Sequence, residues 1–141
     1  MPDPVDSTPP PPSSSSPTPT TTGLPSNVAA ALACIPLVGG LIFYILEKSD
    51  QFVRFYAMQS IIFGGAWLLF NIVVSISHVI LGHIPVAGPV FSILLGLISA
   101  LAHLAFLVVM IIAMVKAFSG VRWDIPFVGP IARKQMGEAP L

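Results

Sequence analysis

With 141 residues, 55% of them hydrophobic and 9% charged, and a mean hydropathy of +0.89, the chain lies far outside the composition of a water-soluble domain, where about a quarter of residues are charged. Six Lys and Arg balance six Asp and Glu, which excludes the basic excess that a nucleic-acid-binding face needs. Residues 55–115, a run of 61, contain no Asp, Glu, Lys or Arg, so most of the chain reads as membrane-embedded and no room is left for a sizeable soluble catalytic domain.

Residues 1–22 hold eight Pro, five Ser and five Thr. Proline removes backbone donors, and nothing here buries enough apolar area to offset ordering entropy, so a disordered, partly polyproline-like tail is predicted. It lacks the basic start and apolar core of a secretory signal, and it lacks the Arg of an organelle transit peptide. A first span is predicted over about 28–46, with Ser26 or Asn27 as N-cap. Pro36, Gly39 and Gly40 lie inside it, so a kink near Leu32–Pro36 is expected. The lone cysteine, Cys34, has no disulfide partner and reads as a small packing residue.

A polar connector, residues 47–54, leads to a second span over about 57–81 with thirteen Leu, Ile, Phe or Val residues. A short turn at 82–89 leads to a third over about 90–115 with sixteen. On the insertion scale these apolar residues offset the few polar ones. Both spans exceed the bilayer core, so tilt is expected. Within residues 119–141, the segment Gly120–Ala132 is half apolar with basic flanks and a Trp and is broken by Pro126 and Pro130, which predicts an interfacial C-terminal segment on the headgroups. The fold class is therefore an all-α membrane protein of three transmembrane helices, forming a domain over 23–118. Three crossings would place all six Lys and Arg on one side, and the positive-inside rule then puts the N-terminus outside and the C-terminus in the cytoplasm.

Within the second helix Ser60, Gly64, Trp67, Asn71, Ser75 and His78 fall along one line. Within the third, Ser92, Gly96, Ser99 and His103 do the same, and Met110 and Met114 extend that line. Small residues let helices approach and polar ones pair across the contact, so these stripes read as helix interfaces, with a polar path for an ion or solute as the sharper alternative. His78 and His103 lie at different depths and cannot share a metal. Ser99 and His103, one turn apart, make an ordinary i,i+4 hydrogen bond, and no hydrolase or phosphate-loop motif is present. No catalytic residue, cofactor or metal site is expected.

Three segments share a pattern: Ile35-Pro36-Leu37-Val38-Gly39-Gly40, Ile84-Pro85-Val86-Ala87-Gly88-Pro89 and Ile125-Pro126-Phe127-Val128-Gly129-Pro130. Proline fixes one φ and the glycine three residues on permits a positive one, so each is predicted to bend.

The connector and the start of the second span read Glu47-Lys48-Ser49-Asp50-Gln51-Phe52-Val53-Arg54-Phe55-Tyr56-Ala57-Met58-Gln59-Ser60, and the C-terminal stretch Ile125 to Ala132 follows the same family pattern, as does Gly23-Leu24. Over roughly 23–134 the chain resembles a family of small uncharacterised prokaryotic multi-pass membrane proteins, grouped with the twenty-kilodalton Tic component of chloroplast protein import (Tic-20-kDa-like). The family-motif positions are Glu47, Phe52, Arg54, Phe55, Ala57, Gln59, Pro126 and Gly129. The resemblance implies a helical membrane protein, channel-like or an assembly subunit, and the missing transit-peptide pattern points to a prokaryotic plasma membrane rather than a plastid. Physically the same stretch reads as an anchor. Lys48 and Arg54 snorkel to headgroups, Glu47 pairs with one of them, and Phe52, Phe55 and Tyr56 form an aromatic belt. The expected function is non-enzymatic, through helix association in a homo-oligomer or with other membrane proteins. The alternatives are an oligomeric ion or small-solute conduit, lined by Asn71, Ser75, His78, Ser99 and His103, and a protein-translocation channel subunit.

Overall fold

The computed structural model describes residues 20–137, and among these it is all-helical. Its elements are α1 (Ser26–Ala33), α2 (Val38–Leu46), α3 (Gln51–Gly82), α4 (Gly88–Phe118) and α5 (Val128–Gln135). The predicted tail falls outside the described residues up to position 19, but Thr20 to Thr22 belong to the fold: Thr20 is buried and Thr21 bonds the connector.

α3 and α4 are the two helices long and apolar enough to cross a membrane. With 32 and 31 residues they extend about 48 and 46 Å at 1.5 Å per residue, against a hydrocarbon core of about 30 Å. Both outrun the predicted spans at the polar end. α3 starts six residues earlier because the Asp50 carboxylate accepts from the Phe52 and Val53 amides and so caps it. α4 opens with Pro89 in its first turn, where the missing N–H costs nothing.

The predicted first span is not one helix. α1 and α2 have eight and nine residues, about 12 and 14 Å, too short for the bilayer even singly extended. They are joined by a reversal at 34–37 rather than a kink. Both outer ends lie at the same end of the α3–α4 hairpin: Thr21 bonds Glu47, Ser26 bonds Asp50, and the Asn27 amide donates to the Phe118 carbonyl at 2.9 Å. Ser26 and Asn27 are thus tethers between segments, and Pro25 occupies the α1 N-cap without a side-chain bond. The reversal reaches Ser60, whose hydroxyl donates to the Ile35 carbonyl at 3.0 Å, and Gly64, where a Cβ would lie 2.7 Å from the Leu37 nitrogen. That is about 14–20 Å along α3. α1–α2 is a helical hairpin laid along the first part of α3.

The recurring Ile-Pro segments each reverse the chain and launch a helix: α2, α4 and α5. The positive φ sits on the residue after proline, not on the glycine: Leu37 at 64°, Val86 at 70° and Phe127 at 67°. At the first two, the next amide folds back onto the proline carbonyl, at 2.7 Å (Val38 to Pro36) and 2.8 Å (Ala87 to Pro85), closing a γ-turn of the strained hand. A bulky residue held there costs about 1–3 kcal/mol. The glycine serves close approach instead. A Cβ on Gly39, Gly88 or Gly129 would collide with the Leu32 carbonyl, the Gly82 carbonyl or the Asp124 side chain, respectively.

The core gathers at the polar end, where Ala29, Ala30 and Ala33 of α1 let it lie close against α3 and α4. Cys34, Val53, Phe55, Tyr56, Ala57, Ala113, Ala117, Ile125 and Ala132 complete it. Beyond this bundle α3 and α4 continue as a bare two-helix hairpin, with little of their apolar middles buried within the chain.

Candidate membrane-interface site and intramembrane seam

Glu47 ends α2 with its side chain buried. Its partners are five uncharged donors, not Lys48 or Arg54: the Thr21 amide (2.8 Å) and hydroxyl (2.9 Å), the Ser49 amide (3.0 Å) and hydroxyl (2.8 Å), and the Asp50 amide (3.0 Å). Burial pushes such a carboxyl up, but the bonds from Ser49, Asp50 and Thr21 outweigh it and hold it down at about 2. Asp50 joins the same knot, accepting from the Ser26 hydroxyl while capping α3. Two carboxylates therefore lace residues 20–26 to the connector.

The C-terminal segment docks on the other side of α3. The Tyr56 hydroxyl donates to the Val121 carbonyl and accepts from the Trp123 amide at 3.0 Å. The Gln59 amide group uses both its ends, donating to the Trp123 carbonyl at 3.3 Å and accepting from the Ile125 amide at 3.1 Å. Two side chains of α3 one turn apart thus satisfy the backbone of an extended stretch. α5 then returns, and Arg133 grips Asp124 with two guanidinium nitrogens, Nε to Oδ2 at 3.0 Å and Nη2 to Oδ1 at 2.9 Å. The guanidinium of Arg122 lies 4.1 Å over the Phe55 ring and that of Arg133 at 5.5 Å. Phe55 and Tyr56 are fully covered rather than part of a lipid-facing belt. Phe52 is half-buried and meets Tyr56 edge-on at 5.2 Å. Arg54 stacks over Tyr44 at 5.1 Å, while Lys48 is exposed. Pro126 and Gly129 form the tip and launch of α5.

The two polar stripes meet in part. His78 bridges the hairpin, with Nδ1 on its own helix at Val74 and Nε2 on the Ser92 carbonyl, both at 3.3 Å. The His103 ring stands edge-on to Trp67 at 4.3 Å, and Trp67 stacks on Phe106 at 4.2 Å. Asn71 Nδ2 donates to the Trp67 carbonyl at 2.8 Å, and His103 Nδ1 contacts the Ser99 carbonyl at 2.7 Å and the Ser99 hydroxyl at 3.3 Å. Ser60 and Gly64 face the reversal at 34–37 instead of α4. Ser75 is exposed, and a Cβ on Gly96 would meet open space. Sequence reasoning missed Thr21, Tyr44 and the Asp124–Arg133 pair. Thr21 carries no local signal within a Pro/Ser/Thr run, and a nine-residue separation follows no helical period.

Residues 20–132 match the family described as the magnetosome magnetite crystal formation protein family, MamF/MmsF, and the chain belongs to it. It is 37% identical over 117 residues to a UPF0132 membrane protein of Methanocaldococcus jannaschii, covering 82% of this chain and 92% of that one. A second UPF0132 membrane protein of the same archaeon is 34% identical over 117 residues (82% and 74%). One from Archaeoglobus fulgidus is 34% identical over 113 residues (79% and 95%). No solved structure matches the chain. These relatives and the two apolar helices make it a membrane protein of a prokaryotic family. They carry that part of the resemblance seen in the sequence, and the chloroplast import component is not among them.

Proposed function

We propose that this member of the magnetosome magnetite crystal formation protein family is a non-enzymatic membrane protein that crosses the bilayer twice and works by helix association within a membrane assembly. One observation carries the reading: the α3–α4 hairpin runs on beyond the bundle with its apolar sides bare. Lipid accepts such sides, but two helices enclose nothing, so activity at this end needs further helices beside them.

The reading places all six Lys and Arg, residues 20–26 and α5 at one membrane face, and His83 with the 83–87 turn at the other. The positive-inside rule makes the first face cytoplasmic, in a prokaryotic plasma membrane. This replaces the expectation of an external N-terminal side, because an even number of crossings returns the chain to its starting face. A conduit lined by the stripes is disfavoured: both His78 ring nitrogens face backbone carbonyls of the same chain and Asn71 bonds its own helix. A role in magnetite crystal formation comes to this chain only through its family, and a translocation role only through the Tic-like resemblance of 47–60 and 125–132.

Purification in mild detergent with copy number measured tests the proposal. Stoichiometric self-association or a co-purifying membrane protein is expected. A monomer without partners in both detergent and nanodiscs would overturn it.

A further inference from the structure

Trp67 and His103 sit at the midpoints of α3 and α4, in contact with each other. The Ser99 carbonyl can only accept, so the neutral His103 ring carries its proton on Nδ1 and presents Nε2 as a bare acceptor. Asn71 likewise donates one amide hydrogen to a carbonyl and keeps a second, together with its oxygen. Among the described residues neither His103 Nε2 nor the Trp67 indole N–H has a hydrogen-bond partner. His103 is exposed, and Trp67 and Asn71 are half-exposed. The centre of the hairpin thus holds two acceptors and two donors where hydrocarbon offers nothing to bond.

The occupant of this face must bring a donor and an acceptor at the same depth. A second copy of the chain inserted in the same sense does so by symmetry. A two-fold axis along the membrane normal keeps every residue at its own depth and sets His103 of one copy against Trp67 or Asn71 of the other. Gly96, open and on the His103 side of α4, lets the two backbones approach. We infer that this seam is a homodimer interface, with His103 Nε2 accepting from Trp67 or Asn71 of the second copy. The inference rests on the assembly reading above and names its partner.

The test uses full-length protein with Cys34→Ala in lipid vesicles. Gly96→Cys is placed in the seam and Leu101→Cys, an exposed residue on the far side of α4, serves as control. Oxidation is expected to give a covalent dimer with Gly96→Cys and monomer with Leu101→Cys. Adding His103→Leu, with helix content by circular dichroism checked against the parent, is expected to raise the dissociation constant measured by energy transfer between labelled copies by about three- to tenfold, the loss of two symmetric intramembrane hydrogen bonds. Cross-linking only at Leu101→Cys, or dissociation unmoved by His103→Leu, overturns the seam. Complexes with other membrane proteins but no self-cross-link overturn the seam and leave the assembly reading standing. A monomer under every condition overturns both.

Discussion

Gln59→Leu separates the docked C-terminal segment from the rest of the fold. Leucine nearly matches the volume of glutamine and suits the membrane border, so packing against α3 changes little. What is lost is specific: the Ile125 amide and the Trp123 carbonyl lose their partner. Ile125 is buried, so its amide cannot turn to water without undocking. Each orphaned buried group costs about 1–3 kcal/mol, giving about 2–4 kcal/mol for the pair if the carbonyl is partly relieved by small shifts. The segment is held on α3 otherwise through Tyr56, the Arg122 and Arg133 guanidinium contacts with the Phe55 ring and burial of Ile125, the last contributing about 1.5–3 kcal/mol. The loss is therefore comparable with what remains. Amide exchange in nanodiscs reads it directly. Exchange at Trp123 and Ile125 is expected to accelerate about 30- to 1,000-fold, by the tenfold-per-1.4 kcal/mol conversion, while the middle of α3 and α4 stays protected. Unchanged exchange at those two amides, or acceleration spread evenly over α3 and α4, would refute the docking.

The turn after Pro85 predicts opposite effects from two neighbouring glycine changes. Val86→Gly relieves the positive φ and is expected to stabilise by about 1 kcal/mol after glycine's entropic cost, whereas Gly88→Ala is expected to destabilise by about 2 kcal/mol as its methyl meets the Gly82 carbonyl; thermal unfolding in detergent reads both. Glu47 makes the 20–26 tether acid-sensitive. Its carboxyl sits near 2 when folded, below the ordinary 4.5, so the tether's stabilisation is complete above pH 4.5 and is lost as pH falls toward 2. Limited proteolysis around Leu24 should show that dependence in the native chain and lose it in Glu47→Gln. Arg133→Lys exchanges a two-point grip for a single charge and is expected to cost about 1 kcal/mol, visible as faster proteolysis between 121 and 135.

Periodicity and the absence of charge were enough to find α3 and α4, because a long uncharged run has few other fates. They stopped short at Ala57 because hydropathy ends where Arg54 begins, while the helix continues to the Asp50 cap. The first span was drawn as one helix for a physical reason: a largely apolar stretch of nineteen residues satisfies a length criterion whether it is one helix or two joined by a reversal. The deciding facts are a positive φ at Leu37 and bonds between Thr21 and Glu47, neither of which has a periodic signature. The Ile-Pro motif was legible as a bend, but assigning the unusual φ to glycine followed intrinsic preference, and the fold instead uses the glycine for close approach and places the positive φ on the residue after proline. The stripes were partly legible. Trp67 with His103, and His78 with Ser92, do meet across the hairpin, but Ser60 and Gly64 were claimed by the reversal between α1 and α2, which the sequence does not announce.

The central claim is that the α1–α2 segment enters and returns, leaving both described ends on one face. Single cysteines in a Cys34→Ala background, labelled with a membrane-impermeant maleimide on oriented vesicles, address it at Leu24, Val86 and Lys134. The account predicts that Leu24→Cys and Lys134→Cys react from the cytoplasmic side and Val86→Cys, at the fully exposed turn, from the opposite side. Labelling of Leu24→Cys and Lys134→Cys from opposite sides would contradict it.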